Sequence, residues 1–236
     1  MIELKRLQDI AGAESGWLKA KHHFAIGPYG NPAHLPIGNL YAFNDDEIAP
    51  HSGFGLHHHS NVEIITYVRS GTVTHQDNKG HRGQIEAGNV QVMSAGTGIF
   101  HSESNAGDVP ACLFQIWLTP REQGGQPRWS TRLFPKADRA GRFVTFASGR
   151  PTSEEALSIG ADAEVWGALL QGGNITEFPL SPGDAAYLVP ASGSVSVNGI
   201  RAGTGEGLVI RGERSLRVEA EGDAEVVLIV TENQDV

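Results

Sequence analysis

The stretch GFGLHHHSNVE, from Gly53 to Glu63, holds three consecutive histidines and, four residues past the last, a glutamate. Imidazole is the commonest protein ligand for transition metals, and a carboxylate often completes such a set. If Gly55 to Val68 is one strand, successive side chains alternate between its faces. His57 and His59 then point one way and His58 the other. Two imidazoles at i, i+2 can share an ion, whereas neighbours at i, i+1 on a strand cannot. His58 is therefore expected outside the metal shell. A second i, i+2 pair, His101 and Glu103, lies in AGTGIFHSESN. Its place in the chain suits a neighbouring strand reached by a long excursion. Two such pairs facing each other would offer three imidazoles and a carboxylate, which leaves positions open on a six-coordinate ion. Open positions suit catalysis, whereas a structural zinc site is closed. Glu63 shares the face of His57 and His59 if the register is unbroken. It could replace Glu103 as the carboxylate ligand, or orient an imidazole from behind.

The elements that must position these residues read as β-strands. Thr66 to Met93, TYVRSGTVTHQDNKGHRGQIEAGNVQVM, and Ala186 to Ile210, AYLVPASGSVSVNGIRAGTGEGLVI, share one order of strands and turns. In both, Val, Ile, Thr and Tyr alternate in short runs bounded by Gly, Asn and Asp, and DNKG and NG are hairpin signals. Two similar halves imply a duplicated β domain. Thr119 to Arg142, rich in Pro, Gly and charge, reads as a linker with one short strand. PTSEEALSIG, from Pro151, carries a helix-capping pattern. No long amphipathic helix is expected. The predicted fold is all-β, two jelly-roll barrels head to tail, with domains at residues 1–135 and 136–236. All ten histidines lie between His22 and His101, so only the first half can hold a histidine-based site.

The chain has 236 residues, 39% hydrophobic and 19% charged, enough to bury a core. A net charge of −9 argues against direct nucleic-acid binding and leaves a protein partner open. The single cysteine, Cys112, excludes an intrachain disulfide, and its apolar surroundings suggest a structural thiol. The N-terminus lacks a secretory apolar region, and the late run VVLIV is too short to span a bilayer, so a cytoplasmic protein without a membrane span is expected. His75 and His81 flank the QDNKG turn and are expected at a solvated hairpin tip. His22 and His23 read as packing or surface residues. Phe54 and Met93 could wall an apolar pocket for a flat aromatic substrate, although core packing explains them equally well.

HxHxxxE, in HHHSNVE, followed by the glycine-bounded strand and turn of GNVQVMSAGTGIFH, forms the two halves of a cupin metal motif. Gly53 to Glu103 closely resembles the pirin family of bicupins. The likeness extends to GWLKAKHHFAIG, FQIWLTP and RLFP, covering the first 135 residues, with the remainder similar to a degenerate second cupin. The resemblance implies His57, His59, His101 and Glu103 as metal ligands, with the glutamate taken from HSE, and moves Glu63 to a supporting position. It also departs from the family, in which a proline often stands where this chain has His58. Aligning Tyr67 on Tyr187 sets Glu177 and Pro179 opposite His57 and His59, so the second barrel is expected to bind no metal. Among relatives, the chain is most similar to bacterial pirin-like quercetin 2,3-dioxygenases. This implies one divalent transition metal, Fe(II) foremost, with Mn, Co, Ni, Cu or Zn as alternatives. The implied reaction joins O2 to a small aromatic substrate, a flavonol such as quercetin, with release of carbon monoxide and with Glu103 or Glu63 taking a proton. Pirins also imply an alternative, a metal- or redox-sensing regulator that acts through a protein partner.

Overall fold

The computed structural model describes residues 1–151 and 156–233. Among them, twenty-two strands and two 3-10 turns, Leu7–Asp9 and Lys136–Arg139, account for the regular structure. No helix of the described residues is long and apolar enough to cross a membrane. The strands form two seven-stranded and two four-stranded sheets. In the first half the large sheet runs Arg128–Leu133, Asn89–Ser94, Glu63–Ser70, Ala111–Leu118, Leu40–Ile48, Leu18–His22, Ala11–Ser15. Facing it, the small sheet runs Ser52–His59, Ile99–Asn105, Thr72–Asp77, Arg82–Glu86. The second half repeats this plan, with the small sheet Ile175–Pro179, Ser215–Ala220, Ser194–Val197, Ile200–Gly203. The duplicated all-β, two-barrel architecture read from the sequence is the architecture observed.

Two details differ from the sequence reading. The first strand, Ile2–Lys5, pairs antiparallel with Gly207–Ile210 and so completes the second barrel. The capping pattern at residues 152–155 lies outside the described residues, and Leu157–Ser158 just after it is a short strand parallel to Ala147–Ser148.

Alternation along each strand divides the apolar residues between two destinations. In Glu63–Ser70, Ile65 and Tyr67 join one cluster with Phe43, Phe114, Phe146, Tyr187 and Ile229, which fuses the two large sheets. Ile64 joins a small cluster with Met93 and Ile99 inside the first barrel, and Val68 another with Val73, Ile85 and Leu113. The interior of the second barrel is one continuous apolar cluster that includes Phe178, Leu188, Leu216 and Val218. The first barrel keeps a polar centre between its two apolar patches.

The equivalent tyrosines cross the interface reciprocally. The Tyr67 hydroxyl bonds Glu225 of the second half, and the Tyr187 hydroxyl lies 2.7 Å from His23 Nδ1 of the first. Arg139, from the segment read as linker, is fully buried there beside Tyr67 and Glu225.

Candidate metal centre

His57 and His59 sit on the Ser52–His59 strand, partly buried, with His58 exposed on the opposite face. The adjacent strand pairs His101 with His57 and Ile99 with His59. Ring centroids are 4.4 Å apart for His57 and His101, 4.8 Å for His57 and His59, and 5.1 Å for His59 and His101. One nitrogen of each ring lies within 4.8 Å of the others. His58 instead meets Phe100 on the outer surface, with ring centroids 4.8 Å apart. The turn leading into His101 depends on its glycines. Gly96 and Gly98 have φ of 50° and 142°, and a Cβ on Gly98 would come within 2.7 Å of His58 Nε2.

The chemical state of these rings suits a metal ion. His57 Nδ1 lies 2.8 Å from the carbonyl oxygen of Gly55, which can only accept, so Nδ1 carries a proton and Nε2 is the nitrogen turned to the side of the other rings. His101 Nε2 is buried without a hydrogen-bond partner. Burial first, and the neighbouring histidines second, push His59 down to about 4 and His101 down to about 3, so both are neutral near pH 7. Imidazole nitrogens converging on a point, one of them orphaned in the interior, are the donor set a divalent transition metal takes.

A bulge between His101 and Glu103 shifts the register, and Glu103 pairs with Phe54. On its other edge the same strand sets Glu103 opposite His75. Glu103 therefore groups with His75 and His101, all three buried, in a second potential metal-holding trio that shares His101 with the first. Both carboxylate oxygens of Glu103 accept hydrogen bonds, from Gln91 Nε2 at 2.9 Å and from Gln115 Nε2 at 2.7 Å.

His75 corrects a sequence expectation. It is fully buried on the strand Thr72–Asp77, and the solvated tip begins only after Asp77. Its Nδ1 lies 3.4 Å from His101 Nδ1, and its Nε2 lies 3.3 Å from Asp77 Oδ2. Burial works to raise the Asp77 carboxyl, but hydrogen bonds from His81, Lys79 and His75 outweigh it and hold Asp77 below the usual range. As a carboxylate, Asp77 can only accept. His75 then donates to it from Nε2.

Glu63 is the second correction. The strand assumed over Gly55 to Val68 breaks after His59, where Asn61 takes φ 52°, and resumes at Glu63 in the other sheet. Glu63 therefore leaves the face of His57 and His59. It accepts from Ser94 Oγ at 2.7 Å and from the backbone of Gly160, and lines a cleft of about 410 Å³ with Arg121 and Arg128. In the second barrel, Glu177 and Pro179 point outward and Phe178 inward, so apolar residues fill the place that histidines hold in the first.

Sequence reasoning missed Asp46. It is 3% exposed, its Oδ1 has no hydrogen-bond partner, and burial, then Asp45 and Glu103, push it up to about 7. Adjacent acidic residues in NDDE carry no visible sign of which one faces the interior. Met93 belongs to the core, whereas Phe54 packs between Trp17 and His57, with centroids 5.0 and 6.3 Å away. On the opposite flank Trp117 lies edge-on to His59 at 5.0 Å.

Two fused barrels, one polar and histidine-bearing at its centre and one filled with apolar side chains, define a bicupin. Residues 4–118 match the family described as Pirin, and residues 146–230 match the Quercetinase C-terminal cupin domain. The chain belongs to the pirin family. It is 52% identical, over 97% of its length and 99% of the relative's, to a Pseudomonas aeruginosa protein named provisionally as a quercetin 2,3-dioxygenase. It is 36% identical to the quercetin 2,3-dioxygenase of Escherichia coli K12, with 97% of both chains covered. The crystal structure of YhhW from Escherichia coli superposes with a TM-score of 0.94 at 34% identity over the whole of both chains. A second structure of that protein is a complex with nickel(II), with a TM-score of 0.92 at 34% identity over 99% of this chain and all of that one.

Proposed function

We propose that this chain is a metal-dependent dioxygenase that cleaves a flavonol such as quercetin with O2 and releases carbon monoxide. One observation carries the reading: three histidine nitrogens converge in the first barrel, and that of His101 is buried without a partner. The ligand set would be His57, His59, His101 and Glu103, with Fe(II) foremost and nickel supported by the complex of the relative. When bound, such an ion supplies Lewis acidity toward a substrate hydroxyl. The protein's own groups supply the rest. Phe54 and Trp117 flank the histidines with aromatic surface suited to a planar substrate. Glu103 would accept the proton of the substrate hydroxyl, since Glu63 lies on the other sheet and faces a separate cleft away from the histidines. Residues up to 135, apart from Ile2–Lys5, would form the working domain, and residues 136–236 with that strand its structural partner, acting in the cytoplasm.

The test is oxygen uptake with quercetin after anaerobic reconstitution with Fe, Mn, Co, Ni, Cu and Zn in turn. Quercetin loss coupled to oxygen and carbon monoxide, abolished in His57→Ala, is the expected result. No quercetin loss with any metal would overturn the reading.

A further inference from the structure

The polar centre of the first barrel contains a feature that the ligand set does not account for. Gln91, Thr66, Gln115 and Asn44 stand opposite one another on four adjacent strands and form a polar row across the large sheet. Two of them reach Glu103, Gln91 through Nε2 at 2.9 Å to Oε1 and Gln115 through Nε2 at 2.7 Å to Oε2. Each glutamine is tied at its other end to an indole. Trp129 Nε1 donates to Gln91 Oε1 at 2.7 Å, and Trp117 Nε1 donates to Gln115 Oε1 at 2.9 Å. An indole N–H can only donate. Each amide must therefore turn its oxygen to the tryptophan and its nitrogen to Glu103, and neither can flip without losing both bonds. The chain Trp129–Gln91–Glu103–Gln115–Trp117 is closed from end to end, and Gln91, Glu103 and Gln115 are each less than a tenth exposed.

We infer that Gln91 and Gln115, oriented by Trp129 and Trp117, are positioning residues that fix the plane of the Glu103 carboxylate and aim its remaining lone pairs at the metal centre. A free glutamate rotates about its side-chain bonds, and ordering it costs entropy whenever it takes up a ligand role. The two amides meet that cost during folding. Trp117 also lies edge-on to His59, and Trp129 stacks on His75 with centroids 5.3 Å apart, so the same indoles contact the histidines on both flanks.

This inference rests on the metal-centre reading, and the test separates the two. Co(II) binding to the full chain is measured by calorimetry and by its visible d–d spectrum, with thermal melting of the metal-free protein as a folding control. The variants are Gln91→Met, Gln115→Met, Trp117→Phe, Trp129→Phe and His57→Ala. Gln→Met keeps the side chain's reach and removes the amide, and Trp→Phe keeps a ring and removes the N–H. Each Gln→Met variant is expected to lose about 10- to 100-fold in Co(II) affinity, the usual range for groups that orient a ligand, and to shift the d–d bands. Each Trp→Phe variant is expected to shift the bands with a smaller loss. Wild-type affinity within threefold and unchanged bands in both glutamine variants, with no binding by His57→Ala, would overturn the clamp alone. If the glutamine variants fail to fold, unchanged affinity and bands in both Trp→Phe variants would overturn it. Absence of Co(II) binding by wild type, or retention by His57→Ala, would overturn the metal-centre reading and the clamp together.

Discussion

Replacing Arg139 with methionine tests what joins the two barrels. Its guanidinium is fully buried, with Nη1 2.5 Å from Glu225 Oε1, Nη2 3.0 Å from the Tyr67 hydroxyl and Nε 3.4 Å from the Phe134 carbonyl. It also lies over the Tyr67 and Phe146 rings at 5.5 Å from each centroid. Removing it leaves Glu225, which is 7% exposed, with only the Tyr67 hydroxyl and the distant Lys136 Nζ at 3.9 Å as side-chain partners among the described residues. Stranding one charge of a buried pair costs about 3–5 kcal/mol. For a chain of this size each kcal/mol moves Tm by about 2–4 °C, so a loss of about 4 kcal/mol lowers Tm by about 8–16 °C. The double variant Arg139→Met/Glu225→Met removes both charges and retains apolar volume, and is expected to regain at least half of that loss. Urea unfolding of the metal-free protein measures all four corners of the cycle, including Glu225→Met alone. A single variant within about 1 kcal/mol of wild type, or a double variant as unstable as the sum of the singles, would refute the claim that this pair locks the interface.

Elemental analysis of protein purified without a histidine tag should find about one transition-metal equivalent per chain, lost in both His57→Ala and His101→Ala, as expected for a centre built on those nitrogens. Burial, with cationic neighbours, pushes His23 down to about 3, so the unfolded chain takes up its proton first and this residue costs stability as pH falls from 6.5 toward 3. The penalty reaches about 2 kcal/mol at pH 5, and His23→Asn should flatten the loss of stability between pH 6.5 and 5. Asp46 has the opposite sign: its folded value near 7 exceeds the ordinary 3.8, so its contribution is lost as pH rises through 7. Asp46→Asn in the metal-free protein should therefore gain on wild type by up to about 4 kcal/mol between pH 4 and pH 8, and equal gains at both pH values would contradict the assignment.

The two-barrel fold was legible because its cues are local: alternating β-formers, NG and DNKG turns, and the repeat of Thr66 to Met93 in Ala186 to Ile210. The convergence of His57, His59 and His101 was equally legible, since i, i+2 spacing on adjacent strands needs only alternation and pairing. What escaped depends on partners distant in sequence. Glu63 falls on the histidine face only for an unbroken strand, and nothing in SNVE announces that Asn61 turns the chain into another sheet. His75 reads as a hairpin-tip residue because the turn's true start, one residue beyond Asp77, is set by pairing with the His101 strand. Arg139, Asp46 and the two glutamines look like surface residues in sequence. Their burial comes from Glu225, from the barrel wall and from Trp117 and Trp129.

The pairing of Ile2 with Ile210 also bears on how the protein is made. Ile2–Lys5 cannot find its place until Gly207–Arg211 has emerged from the ribosome. Until then that segment is a loose end and Gly207–Arg211 an uncovered sheet margin, open to pairing with another chain. Contacts this far apart in sequence slow folding and prolong exposure to aggregation. The second barrel is thus completed by a strand that precedes every strand of the first in the chain.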